Sequence, residues 1–205
     1  MSESGGSGSG AAQAIDTGQR SSGVGLSSLN ATVVGRRVGR YQLLAELARG
    51  GMGEVYLAVQ PGPAGFHKLV VIKTLRPALA QDPLFVDMFL DEARLTARLN
   101  HPNIAQTNEV GVDAGTHFIA MEFLEGQPLH RVRAALREGP PPALPAIEAR
   151  IVADALLGLH HAHELADVDG RPLDVVHRDA TPHNIFVTYD GHVKLVDFGI
   201  AKMLN

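Results

Sequence analysis

His177-Arg178-Asp179-Ala180-Thr181-Pro182-His183-Asn184, followed by Asp197-Phe198-Gly199, is the stretch on which the fold of this chain turns. Both clusters lie within Asp174 to Asn205, where apolar and β-branched runs predict short strands at Ile185 to Thr188 and Val193 to Val196. Asp179, Asn184 and Asp197 therefore fall in the polar loops around those strands.

Working outward toward the N-terminus, Ile147 to His163 reads as a long helix, with Ile147, Ile151, Ala155, Leu159 and Ala162 along its buried side. Leu129 to Glu138 reads as a short amphipathic helix closed by Gly139 and prolines. Ile104 to Gly111 and His117 to Phe123 are two strands joined by the turn Val112-Asp113-Ala114-Gly115. Before them, Pro83 to Leu99 is helical, with Phe85, Phe89, Glu92, Thr96 and Leu99 recurring on one side. Three further strands are expected at Tyr41 to Leu47, Glu54 to Val59 and Lys68 to Thr74, with a turn at Pro61 to Gly65. The plan is a five-stranded sheet with one helix, followed by a mostly helical region, without internal repeats.

Two charged residues stand out in that plan. Lys73 ends an apolar strand, and Glu92 faces inward on its helix; each is costly to bury alone. An ion pair solves both problems and would present the amine to phosphate oxygens. A snorkelling lysine and a solvent-facing glutamate remain the alternative for either residue by itself. Gly50, Gly51 and Gly53 sit between two strands, where side chains would keep backbone amides from a polyphosphate. A plain glycine-rich turn fits that short pattern equally well.

Bulk properties narrow the function classes. The chain has 205 residues, 45% of them hydrophobic, and a net charge of −4, which gives no reason to expect nucleic acid or an anionic membrane as partner. Cysteine is absent, so disulfides and thiolate metal sites are excluded, and a cytoplasmic location is expected. Met1 to Gly10 lacks the apolar region of a secretory signal, and no run suits a membrane span, which leaves a membrane segment open only for a longer parent chain beyond Asn205. Residues 1–37, rich in Gly and Ser toward the start, are expected to form a disordered tail, with order beginning near Val38 to Tyr41. His160, His161 and His163 lack a matching second cluster, and Asp167-Val168-Asp169-Gly170 lacks the bidentate glutamate of a calcium loop.

Taken together, the glycine loop, Lys73, Glu92, His177-Arg178-Asp179, Asn184 and Asp197-Phe198-Gly199 resemble, in order and spacing, a serine/threonine protein kinase of the bacterial eukaryotic-like (Hanks) type. Gly50-Gly51-Met52-Gly53-Glu54-Val55-Tyr56 and His101-Pro102-Asn103-Ile104 favour the bacterial branch. The resemblance implies an α+β, bilobal fold: a small lobe over residues 38–124, and the beginning of a helical large lobe over 125–205. It implies ATP and Mg²⁺ as cofactors and a protein substrate bearing a Ser or Thr hydroxyl. Lys73 would hold the α- and β-phosphates, fixed by Glu92, while Asp197 and Asn184 would hold magnesium through hard oxygen ligands. Asp179 would accept or orient the substrate proton. Met121 would be the gatekeeper, Glu122 to Leu124 the hinge pairing with the purine edge, and Val55 the cover of its face.

Departures from the family pattern carry their own expectations. Ala48 takes the place of the first loop glycine, and Val71 that of a small residue over the adenine. Thr181 stands where serine/threonine kinases carry a lysine that neutralises the transferring phosphate, and Ala180 replaces a leucine. Slower transfer with nucleotide binding preserved is expected, since a neutral hydrogen bond is about half as strong as a charged one. The segment after Asn205 that would bind substrate is expected in a longer parent chain. The alternative is a pseudokinase-like nucleotide-binding scaffold, or an inactive fragment lacking the substrate-binding part of the large lobe.

Overall fold

The structure is a computed structural model describing residues 33, 35–137, 139, 141 and 143–198. The expected tail up to residue 32, Gly199 and the residues after it lie outside the described residues.

The N-terminal part is one antiparallel sheet in the order β1-β2-β3-β4-β6-β5. Its strands are β1 (Arg37–Val38), β2 (Tyr41–Arg49), β3 (Gly53–Pro61), β4 (His67–Leu75), β5 (Thr107–Asp113) and β6 (Thr116–Glu122). The five expected strands are all present. The sixth, β1, pairs Arg37 with Gln42 and Val38 with Tyr41, so the count of five falls one short. Described structure also reaches ahead of Val38: Val33 is buried, and Arg36 O accepts Leu43 N–H at 2.8 Å.

Strand alternation gives the sheet two different faces. Tyr56, Ala58, Val70, Ile72, Phe118 and Ala120 pack with Val33, Val38, Tyr41 and Leu43 into a core on one face. The intervening residues, Val55, Leu57, Val71, Lys73 and Met121, take the other face, where Leu75 and Ile119 pack on Phe89 and Ala93 of α1 (Pro83–Thr96). Asp82 caps that helix by accepting Leu84 N–H at 3.0 Å, and Pro83 occupies its first turn, where a missing N–H costs nothing.

Beyond β6 come β7 (Gly126–Pro128), α2 (Leu129–Leu136), α3 (Leu144–His163), β8 (Ile185–Thr188) and β9 (Val193–Leu195), the strands forming a sheet in the order β7-β8-β9. Their core gathers Leu99, Ile104, Leu129, Ile151, Ala155, Ala162, Val175, Val193, Leu195 and Phe198. The helix α3 approaches β9 closely: a Cβ on Gly158 would sit 2.9 Å from Asn103 O and 3.0 Å from Leu195 Cδ1. One expected core position is wrong. Ile147 is 43% exposed, because it lies in the first turn of α3, ahead of the part that β9 and Ile104 cover. Val152, Leu156 and Leu157 are exposed as well, so α3 is apolar on more sides than the described residues cover.

Candidate active site

The geometry converges on Lys73. Its Nζ lies 2.5 Å from Glu92 Oε1 and 3.2 Å from Asp197 Oδ1, joining β4, α1 and the loop after β9. Lys73 and Glu92 side chains are only 15% and 8% exposed, so the pair answers the burial problem read from the sequence. Burial by itself would lower the Lys73 pKa; the Asp197 and Glu92 carboxylates outweigh it and hold the amine charged, above its ordinary range. On Glu92, burial pushes the carboxyl up while the Lys73 ammonium pulls it back. The Asp197 side chain remains 44% exposed, leaving oxygen surface for a further ligand.

A second cluster is built by the loop before β8. Asn184 Nδ2 donates to both Asp179 O and Asp179 Oδ2 at 3.0 Å. Thr181 N–H donates to Asp179 O at 2.8 Å, and Asn184 N–H to Thr181 O at 2.9 Å, so Thr181 is fixed within the same turn. The buried His177 ring supports that loop from beneath. Its Nε2 bonds Val196 O at 3.2 Å, its Nδ1 accepts Asp179 N–H at 3.3 Å, and its ring meets Phe198 at 4.5 Å between centroids. Burial lowers the His177 pKa, which favours the neutral ring that this donor-and-acceptor pattern requires. Arg178 and Asp197 hold φ of 58° and 52°, left-handed values that a non-glycine residue adopts at a cost and that concentrate at functional sites.

The glycine hairpin closes over the same face. Val55 is the cross-strand partner of both Lys73 and Ala48, which sets all three on the Lys73 side of the sheet. Gly50 N–H donates to Gly53 O at 2.9 Å to close the turn. A Cβ on Gly53 would strike Thr74 O at 2.8 Å, whereas among the described residues one at Gly51 would meet nothing and one at Gly50 only Gly53 O at 3.8 Å. Packing within the protein thus explains the absence of a side chain at Gly53 alone. Met121, opposite Val71 on β4, lines a cavity of about 20 Å³ together with Glu92, Asp197 and Phe198.

Glu122 to Leu124, expected as the hinge that pairs with a purine edge, run from the end of β6 toward β7, and the Glu122 side chain has a role that the sequence did not reveal. Its Oε1 accepts Lys194 Nζ at 2.6 Å and Gln106 N–H at 2.7 Å, tying the end of β6 to β9 of the second sheet. Lys194 alternates between buried Val193 and Leu195, the ordinary pattern of a strand lysine, so the pattern held no signal for it. Leu124, with Phe123 and Glu125, borders a larger hollow of about 630 Å³ beside the β8–β9 turn, which shares no residue with the Lys73 cluster. Elsewhere, His161 stacks on His101, and Asp167 Oδ1 caps its own turn by accepting Asp169 and Arg171 N–H groups. Among the described residues no group of three or more His, Cys, Asp or Glu could hold a metal by itself.

The protein kinase domain family matches residues 41–205. The chain belongs to that family. Among its relatives, the tyrosine-protein kinase MasK of Myxococcus xanthus is 48% identical over 165 residues, covering 80% of this chain and 25% of MasK. The serine/threonine-protein kinase PknA of Mycobacterium tuberculosis is 35% identical over 178 residues, 82% of this chain and 36% of PknA. The PrkC kinase of Bacillus subtilis is 35% identical over 174 residues, covering 84% and 24%. A crystal structure of the Mycobacterium tuberculosis PknI kinase domain superposes with a TM-score of 0.62 at 31% identity, covering 82% of this chain and 62% of that one. The chain carries a protein kinase domain of the bacterial Hanks type, and it spans about a quarter to a third of the length of these curated relatives.

Proposed function

We propose that the protein transfers the γ-phosphate of ATP to a serine or threonine hydroxyl on a protein substrate, with magnesium as the assisting ion. The observation that carries this reading is the convergence of Lys73, Glu92 and Asp197 beside the Asp179–Asn184 cluster. Phosphoryl transfer asks for positioning and charge neutralisation more than covalent chemistry. The residues present fit both cofactors. A Cβ at Gly51 would meet none of the described residues and one at Gly50 only Gly53 O, so the turn has room for a ligand, and Asn184 and Asp197 offer the hard oxygens that magnesium prefers. With no three-residue metal cluster among the described residues, the ion would rely on these two side chains plus phosphate oxygens and water.

In this reading the Lys73 ammonium, oriented by Glu92, binds phosphate oxygens, and bound magnesium neutralises charge on the transferring group. The Asp179 carboxylate, steered by Asn184 Nδ2, accepts the proton of the attacking hydroxyl. Met121, the Glu122 to Leu124 backbone and Val55 enclose the purine. Residues 38–124 would make up the small lobe, and the described residues from 125 to 198 the beginning of the large one. Thr181 brings a hydroxyl but no charge to the transferring phosphate.

A tyrosine acceptor is the second reading, favoured by the name of the relative that is 48% identical. Labelled ATP with magnesium and a mixed protein acceptor, followed by phosphoamino-acid analysis, separates the two. Phosphoserine or phosphothreonine supports the first reading and phosphotyrosine the second. Nucleotide binding without transfer in the full-length protein would leave it a scaffold.

A further inference from the structure

The two strands that carry the glycine turn are joined by an arginine on the side of the sheet away from Lys73. Arg49 and Glu54 are cross-strand partners, the last pair before the turn. The Arg49 guanidinium grips Glu46 in a bidentate contact, Nε to Oε1 at 3.0 Å and Nη2 to Oε2 at 2.9 Å. Its remaining nitrogen, Nη1, reaches Glu54 Oε1 at 2.9 Å. The other Glu54 oxygen accepts the Tyr56 hydroxyl at 2.6 Å, and Tyr56 is 2% exposed in the outer core. Isolated surface ion pairs contribute little, but a bidentate arginine in a network is the exception. Here one planar cation bridges two carboxylates, of which one is anchored to a buried ring.

The hairpin has few other restraints at this point. The β2–β3 ladder shifts register between Glu46 and Ala48, next to the turn. Within the turn, Gly50 N–H to Gly53 O is the closing backbone bond, and none of the described residues packs where a Gly51 side chain would be. Arg76 adds a backbone bond to Met52 O at 3.1 Å and a long side-chain contact to Gly51 O at 3.4 Å. Alternation from Val55 puts Glu54 and Tyr56 on the outer face, so the Arg49 charge is matched by two carboxylates and directed away from the phosphate side.

We propose that Arg49 is a positioning residue: its clasp on Glu46 and Glu54 holds the glycine turn down over the nucleotide phosphates, so that its loss weakens nucleotides through their phosphates and not through the purine. This rests on the nucleotide-binding reading above.

The test measures affinities of Mg·ATP and of adenosine for the full chain, unaltered and as Arg49→Met, Arg49→Lys and Glu46→Gln. Methionine keeps the apolar stem and removes the fork; lysine keeps charge but can bridge only one carboxylate well. Arg49→Met is expected to weaken Mg·ATP about three- to tenfold, mainly through faster dissociation, with adenosine unchanged. Arg49→Lys should recover part of the loss, and the difference from the unaltered chain should narrow in high salt. In a phosphotransfer assay the KM for ATP should rise with kcat nearly constant. Equal Mg·ATP affinity in all variants would overturn the clasp, as would a parallel loss for adenosine, which marks general destabilisation. Absence of Mg·ATP binding by the unaltered chain would instead refute the nucleotide reading itself. Glu46→Gln keeps the question decidable if Arg49→Met does not fold.

Discussion

Replacing Lys194 with methionine removes the cation that ties Glu122 to the second sheet, and its cost can be bounded from the geometry. The contact is 2.6 Å long, and the side chains are 18% and 25% exposed, between a surface pair and a buried one. Exposed pairs contribute about 0.2–1 kcal/mol, and breaking a buried pair costs about 3–5 kcal/mol. After the substitution Glu122 keeps the Gln106 N–H bond and a quarter of its surface in water, so its carboxylate is not stranded. The loss should therefore be about 1–2 kcal/mol. In a domain of this size that corresponds to a fall in Tm of about 2–8 °C. Glu122→Gln should cost a similar amount, and the double variant little more than either single one. Urea denaturation of the four proteins gives the coupling directly, expected near 1 kcal/mol. Coupling below about 0.3 kcal/mol would mean that the two charges act independently and that the tie is incidental.

Thr181→Lys should raise phosphoryl transfer several-fold while leaving ATP affinity nearly unchanged, read from initial rates at saturating ATP; unchanged or slower transfer would argue against a charge deficit at that position. Gly158→Ala should destabilise by about 1–3 kcal/mol, because the new methyl meets the Asn103 carbonyl and the Leu195 side chain; thermal melting reports it, and a neutral result would show that α3 can shift away from β9. His177 should make stability pH-dependent. Its native pKa lies below the ordinary 6.5, so the unfolded chain takes up the proton first. That contribution is complete above the ordinary value and is lost as pH falls below it, by at most about 1.4 kcal/mol per pH unit. His101, depressed by burial and by His161, adds a part in the same direction. Denaturation curves between pH 7 and pH 5 should therefore flatten partly, not wholly, in His177→Gln.

What could be read from the sequence divides along physical lines. Lys73 and Glu92 were legible only as a pair, because each interrupts an apolar pattern and one ion pair relieves both, whereas either alone could have reached solvent; the structure brings them to 2.5 Å. The long strands and α1 were legible from periodicity, which needs several residues to register. Two-residue β1 and three-residue β7, the latter ending in proline, are too short to carry a period, yet they close the edges of both sheets. Ile147 kept the helical spacing of its buried neighbours but fell beyond the surface that covers them. The Lys194–Glu122 tie and the Arg49 clasp were hidden for another reason. Charged side chains on strands look solvated in one dimension, and their partners are 72 residues away for Lys194 and across a turn for Arg49. Tertiary register decides such pairs, and composition does not.

The most direct test of the account is magnesium-dependent transfer of labelled phosphate from ATP to a protein hydroxyl by the full-length protein, compared with Asp179→Asn. Asn184 would still find an oxygen at position 179, so the loop should keep its shape while the proton acceptor is lost. The account predicts transfer by the unaltered protein and a loss of about 10²-fold or more in the variant, with ATP affinity maintained. Transfer undiminished by Asp179→Asn, or no transfer by the unaltered protein while it binds Mg·ATP, would contradict it.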